Sequence, residues 1–178
     1  DEVIHKIASA QEDDGYLYTN RTINPQKAAD GAGKVRWTGL EIFHELYNVG
    51  HLYEAAVAHY EATGDRKLLD VAIKNANLVE SVFGPNKNIG VPGHQEIEIG
   101  LVKLYRVTGD KKYLDLAKFF IDQKGRNKNK RIYNDFKKTN PWGEDEFDLD
   151  YWQGEYAQDH KPLSDQEEAV GHAVRACY

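Results

Sequence analysis

The sequence contains no methionine, not even at position 1, and a single cysteine, Cys177. Without a starting methionine, the 178 residues are expected to be a segment of a longer chain, with any targeting signal lying outside it. One cysteine excludes an internal disulfide and any zinc site built from several thiolates within the segment. The lone thiol is expected to be a small, buried, structural side chain. No apolar run approaches the roughly 18 residues of a membrane span, so the segment is expected to be soluble with no membrane partner. Positive charge is not in excess either: 23 Lys and Arg stand against 29 Asp and Glu, a net charge of -6. A polyanion would meet no general attraction, and nucleic acid is not an expected partner. There is no phosphate-cradling glycine loop and no Gly-x-Ser-x-Gly elbow. The compartment stays open between bacterial periplasm and cytoplasm.

What the chain has instead is repetition. Gly50-His51 recurs 43 residues on as Gly93-His94, and Thr63-Gly64-Asp65 recurs 45 residues on as Thr108-Gly109-Asp110. A third pair, Gly171-His172, opens another unit. A period in this range signals stacked helical hairpins, each needing neighbours to bury its apolar face. Within the first unit Leu52, Ala55, Ala56, His59 and Tyr60 form one stripe. Beyond the Thr-Gly-Asp corner, Leu68, Leu69, Ala72, Ile73, Ala76, Val79 and Phe83 form the next. Glycine at the corner suits a left-handed helix end, and Asp65 can cap the helix that follows. The second copy repeats this with Ile97, Leu101 and Leu104, then Tyr113, Leu114, Ala117, Phe120 and Ile121. Alternating inner and outer helices follow: an all-α toroid of helical hairpins, left incomplete. At this length the chain is one domain or part of one.

Outside the repeats the pattern is less regular. Residues 2 to 11 read as a helix running into the turn Glu12-Asp13-Asp14-Gly15. Residues 16 to 35, with Tyr16, Tyr18, Asn20, Asn24, Asp30, Gly31 and Gly33, read as a loop. A short helical pattern from Leu40 to Tyr47 leads into the first Gly-His. Residues 125 to 165 break the rhythm with a basic run, Arg126 to Arg131, and an acidic aromatic run, Glu144 to Trp152. Such an insertion hangs on one face of a toroid, commonly the binding face. Trp142, Tyr151 and Trp152 either stack on sugar rings or pin the loop to the helices.

The Gly-His pairs carry the sharpest chemical signal. Each histidine is expected at or just before the first turn of a helix, where the partial positive charge keeps an imidazole neutral. A neutral ring donates one hydrogen bond and accepts another, as sugar hydroxyls do. His51, His94 and His172, one per repeat, are therefore expected to converge on a common cavity as substrate-binding residues. The alternative is that they are caps copied with the unit. Glycoside hydrolysis usually needs two carboxylates, and Glu41, Glu45, Glu96, Glu98, Glu167 and Glu168 are candidates, but spacing selects no pair. His44, His51 and His59 lie seven and eight apart, with Gly50 read as interrupting the element. No metal set is expected within the segment.

Four strings, Ala10-Gln11-Glu12-Asp13-Asp14-Gly15-Tyr16-Leu17, His44 through Ala58, Gly93-His94-Gln95-Glu96-Ile97-Glu98, and Glu168 through Arg175, resemble glycoside hydrolase family 127. The resemblance covers nearly the whole chain. It implies the N-terminal part of an (α/α)6 barrel, followed in the family by β-sandwich domains, in enzymes that release L-arabinofuranose with retention. The family's arabinose-binding histidines match His51, His94 and His172. A zinc-bound cysteine nucleophile, a glutamate and further cysteines on the zinc, and an acid/base glutamate all fall downstream of the third Gly-His. The resemblance thus puts no catalytic residue in this segment, assigns zinc to the parent enzyme, and leaves the segment alone inactive. Its expected partners are an L-arabinose-containing oligosaccharide or glycan and the remainder of its own barrel. Two rival readings are a non-enzymatic helical-repeat binding module and a two-carboxylate glycosidase on the same barrel.

Overall fold

The computed structural model describes residues 2–25, 32, 35–38, 40, 42–126 and 154–178. Its helices are α1 (Glu2–Ala10), α2 (Thr19–Thr22), α3 (Glu45–Thr63), α4 (Lys67–Val82), α5 (Ile97–Thr108), α6 (Lys111–Gln123) and α7 (Ala173–Cys177), with a 3-10 turn at Leu163–Asp165. Among the described residues the only strand-like pairing is an isolated bridge between Phe83 and Asn88. The expected turn after α1 is present, and the loop that follows holds the one-turn α2. Asp30, Gly31, Gly33, Glu41, the basic run beyond Arg126, the acidic aromatic run, Trp142, Tyr151 and Trp152 lie outside the described residues.

Helix α3 packs on α4 and α5, α5 on α6, and α4 touches α1 and α6. The result is two layers that alternate along the chain, α3 and α5 in one and α1, α4 and α6 in the other. Between them lies one continuous core: Leu46, Val49, Tyr53, Ala56 and Val57 from α3, Leu69, Ala72, Ala76 and Val79 from α4, Ile97, Leu101 and Leu104 from α5, and Tyr113, Leu116, Ala117 and Phe120 from α6. Each large side chain removed from water here contributes about 1.5–3 kcal/mol.

The two Thr-Gly-Asp corners are the same turn built twice. Gly64 and Gly109 adopt φ of 73° and 71°, and each N–H donates over 2.8 Å to the carbonyl four residues back, Tyr60 or Tyr105. The threonine hydroxyl donates 2.7 Å to His59 O in one corner and to Leu104 O in the other. Asp65 and Asp110 each accept the N–H of the residue two further on, Lys67 and Lys112. Left-handed backbone that glycine adopts freely, followed by an aspartate cap, reverses the chain without orphaned polar groups.

Gly50 does not interrupt a helix. Helix α3 starts at Glu45, inside the stretch expected to form a separate short helix, and runs unbroken through Gly50-His51 to Thr63. Glycine is there for space: a Cβ on Gly50 would stand 2.6 Å from Ile97 N, and one on Gly100 would stand 2.7 Å from Gly50 O and 2.9 Å from Tyr53 Cβ. The two glycines let α3 and α5 cross nearly backbone to backbone. A second correction concerns Cys177, which is exposed rather than buried. Helix α7 is five residues long and buries only Arg175.

The Gln11-to-Tyr16 turn clasps α1 to α3 and α4. Gln11 Nε2 donates to Gly15 O (3.1 Å) and Val71 O (2.9 Å), and Asn75 Nδ2 donates to Gly15 O (2.9 Å). Tyr53 OH donates to Asn75 Oδ1 at 2.6 Å. Tyr16 OH donates to the buried carboxyl of Glu45, which also accepts the Trp37 N–H at 3.1 Å. Burial pushes Glu45 up to about 7, the hydrogen bond from Tyr16 opposing the rise only in part.

Two outcomes are expected. Gly100→Ala should lower stability by about 1–3 kcal/mol in chemical denaturation, because overpacking outweighs the ~1 kcal/mol of helix propensity gained; an unchanged midpoint would remove the close crossing as a constraint. The raised pKa of Glu45 means that its contribution is full below about pH 4.5 and is lost as pH rises through about 7. The stability difference between wild type and Glu45→Gln should therefore move against wild type by on the order of 3 kcal/mol between pH 4 and 8; a pH-independent difference would contradict the assignment.

Candidate functional site

The N-terminal ends of α3, α5 and α7 meet at one end of the bundle, each preceded by a histidine. His44 and His172 immediately precede α3 and α7, and His94 lies three residues ahead of Ile97, the first of α5. The rings of His44 and His94 stack at 4.4 Å between centroids, and His172 stands 6.1 Å from His94. Tyr47 covers His94 from α3 at 5.5 Å, and Tyr156 covers His172 at 5.3 Å.

Of the three histidines singled out from the sequence, the structure brings His94 and His172 together. His51 stands almost two helical turns inside α3, not at its start. Its ring packs edge-on against Tyr47 (4.5 Å) and Tyr178 (5.9 Å), and its Nδ1 lies 3.2 Å from Glu96 Oε1. The position equivalent to His94 and His172 is taken by His44. Reading Gly50 as a helix breaker put the start of the helix at the wrong histidine. The signal that finds His44 is the acidic first-turn residue Glu45 followed by the stripe Leu46, Val49, Tyr53.

Loops hold these rings in place. Gly93 N–H donates to Leu40 O (2.9 Å), and Lys124 Nζ donates to Pro92 O (3.0 Å), fixing the segment that carries His94. His172 N–H donates to Tyr156 O (3.2 Å), and Gln158 Nε2 donates to Val170 O (2.5 Å). Gly171, at φ 79°, sits where a Cβ would fall 2.0 Å from Glu155 O, so residues 155–158 and the third Gly-His are molded to each other.

His94 is neutral at physiological pH, as expected, but the cause is different. Burial comes first, then the Arg175 guanidinium and the neighbouring histidines, and together they push its pKa down to about 3. Burial and Arg175 lower His44 as well. Arg175 is itself buried, over the Tyr156 ring at 4.8 Å. The Nδ1 atoms of His94 and His172 are buried with no hydrogen-bond partner in the structure. A neutral, desolvated imidazole with a spare nitrogen is suited to a hydroxyl.

The carboxylates do not form a glycosidase pair here. Glu45 is occupied with Tyr16 and Trp37, Glu98 accepts the Glu96 N–H (3.0 Å), and Glu167 and Glu168 are exposed. Glu96 is fully buried and faces His51 and Glu54, whose carboxylate is paired with Lys103. The metal-capable atoms of His51, Glu54 and Glu96 lie within 4.8 Å of one another, the one such group among the described residues. The zinc implied by the resemblance needs several thiolates; with Cys177 alone, and exposed, these residues do not fit it.

The family model for the beta-L-arabinofuranosidase GH127 catalytic domain matches residues 1–178. The chain belongs to this family. A non-reducing end beta-L-arabinofuranosidase of Bifidobacterium longum subsp. longum is 40% identical over 182 aligned residues, which take in all of this chain and 27% of that protein. A solved GH127 beta-arabinofuranosidase superposes with a TM-score of 0.82 at 49% identity, over 98% of this chain and 24% of the other. The GH127 beta-L-arabinofuranosidase of Geobacillus stearothermophilus T6 superposes with a TM-score of 0.78 at 42% identity, over 98% of this chain and 26% of the other. The chain therefore spans about a quarter of the length of these relatives. Its two alternating layers are an incomplete segment of the α/α barrel of GH127 enzymes. No helix among the described residues is long and apolar enough to cross a membrane.

The depressed pKa of His94 has a direct readout. In an NMR titration of the histidine ring protons, the His94 resonance should stay flat between pH 5 and 8; a midpoint inside that window would mean that the ring is not buried beside Arg175 as described.

Proposed function

We propose that this GH127 chain supplies one wall of the sugar site of a glycoside hydrolase acting on terminal β-L-arabinofuranosides. The observation that carries the proposal is the convergence of His44, His94 and His172 at the N-terminal ends of α3, α5 and α7. His94 and His172 bind hydroxyls of the furanose, the neutral His94 ring offering a donor on one nitrogen and an acceptor on the other. His44 completes the row, and His51, expected at the same level, supports it from behind Tyr47. The names of the three relatives described above, each a β-arabinofuranosidase, support the sugar and its β anomer.

On this reading the whole of residues 1–178 is part of one barrel catalytic domain, with residues 125–165 as an inserted loop on the site's side. The nucleophile, its zinc and the acid/base belong to parts of the parent outside this chain, and the remainder of the barrel is its obligate partner. The role of these residues is to bind and orient: a furanose held through buried hydroxyl contacts cannot slide relative to the reacting carbon, and misplacement by an ångström is costly. A conventional pair of carboxylates within this chain is not favoured, because Glu45 is held by Tyr16 and Trp37 and Glu96 is fully buried against His51 and Glu54.

The test is kinetic and uses the full-length protein. His94→Ala should lower kcat/KM on a chromogenic β-L-arabinofuranoside by roughly 5- to 150-fold, about 1–3 kcal/mol, with little change in the thermal midpoint. A variant that loses its midpoint yet keeps kcat/KM per folded molecule would reduce His94 to a structural cap.

A further inference from the structure

Behind the histidine row, α3 and α5 build a second constellation, of which His51 alone also backs Tyr47. His51 and Glu54 are three residues apart on α3 and so project from one face of the helix. Glu96, at the entrance to α5, meets them from across the Gly50–Gly100 crossing, with its oxygen 3.2 Å from His51 Nδ1. Its side chain has no exposed surface, and its carboxyl shares a hydrogen bond with Glu54 that a proton must supply and that an ion would replace. What the carboxylate faces is an imidazole and a second carboxylate. An ionised carboxylate buried without donors costs several kcal/mol unless a positive charge or a proton joins it. Burial and the nearby Glu54 raise Glu96, whereas Glu54 is lowered by its contacts with Glu96 and Lys103.

We propose that His51, Glu54 and Glu96 form a binding site for a first-row divalent cation of the Mn²⁺ type, separate from the zinc that the family resemblance places elsewhere in the parent. The donor set decides the class. One imidazole nitrogen with carboxylate oxygens suits a first-row divalent ion such as manganese, whereas an all-oxygen cage would suit calcium and a set of thiolates would suit the family's zinc. Ligand atoms within 4.8 Å of one another are close enough for one ion to reach all three at the ~2.0–2.2 Å bonds of a first-row divalent metal. A route in exists, since the His51 and Glu54 side chains are 42% and 25% exposed. The Lys103 ammonium now on Glu54 occupies a ligand oxygen and must leave when the ion enters.

That displacement makes the proposal testable apart from the arabinofuranosidase reading, which would stand or fall without it. Mn²⁺ is titrated into the full-length protein, and the free aqua ion is followed by EPR. One Mn²⁺ per chain should be taken up. Glu96→Gln should weaken binding more than about tenfold, at least the effect of losing an outer-shell partner, with far-UV circular dichroism confirming the fold. Lys103→Gln, at a half-exposed position remote from the histidine row, should tighten binding by removing the competing ammonium. No uptake, uptake indifferent to Glu96→Gln in a folded protein, or Lys103→Gln that leaves affinity unchanged or weaker overturns the site. If Glu96→Gln fails to fold, the Lys103→Gln result decides.

Discussion

The close crossing of α3 and α5 at Gly50 and Gly100 is the constraint on which the rest depends. With a Cβ of one glycine 2.7 Å from the other's carbonyl oxygen, no other residue pair allows this spacing without moving backbone. The crossing fixes how far α5 stands along α3. That offset sets His94 beside His44 and Glu96 beside His51, so one packing event positions two groups of polar side chains. The contrast with Gly64 and Gly109 is instructive. Those glycines serve backbone conformation in exposed corners, whereas Gly50 and Gly100 serve volume in a buried one.

The polar groups around the Gln11-to-Tyr16 turn are satisfied with care. The Gln-Glu-Asp-Asp-Gly-Tyr turn is among the strings that carry the family resemblance, yet its contacts are architectural. Through Gln11, Gly15 and Tyr16 it ties α1, Val71, Asn75 and Glu45 into a single network that reaches Tyr53 in the core. Such networks specify one arrangement because each half-satisfied alternative leaves a buried polar group alone. The histidine row departs from this rule, with ring nitrogens of His94 and His172 left over. Unused hydrogen-bonding capacity on a desolvated ring is where a hydroxylated ligand gains most.

Much of this was legible in the sequence, and the limits have physical causes. Period and corner chemistry are local, so the two hairpins, the Thr-Gly-Asp turns and the stripes of α4, α5 and α6 could be read directly. His94 and His172 were legible because each does precede a helix. His51 was misplaced because glycine in a sequence signals either a break or a close approach, and only the partner helix, some 43 to 50 residues away, distinguishes the two. The same distance hid Glu96 from His51 and Glu54. The neutrality of His94 was anticipated on helix-end grounds, but Arg175 and burial dominate it, and neither is visible before α7 is seen to fold over Tyr156. Cys177 was taken as buried from the average behaviour of thiols, and a five-residue helix shields only one side chain.

The corners and the histidines occupy opposite ends of the same helices. At about 1.5 Å per residue, the 19 residues of α3 and the 12 of α5 separate Thr63-Gly64-Asp65 and Thr108-Gly109-Asp110 from the histidine row by roughly 28 and 18 Å. No neighbouring atom lies within 4 Å of where a Cβ on either corner glycine would stand. That rim of the barrel is thus insulated from the histidine end. Loop length, charge and attached groups can change there by drift or by design, and a fluorophore or an immobilisation handle placed on a corner would report on the molecule without touching what it recognises.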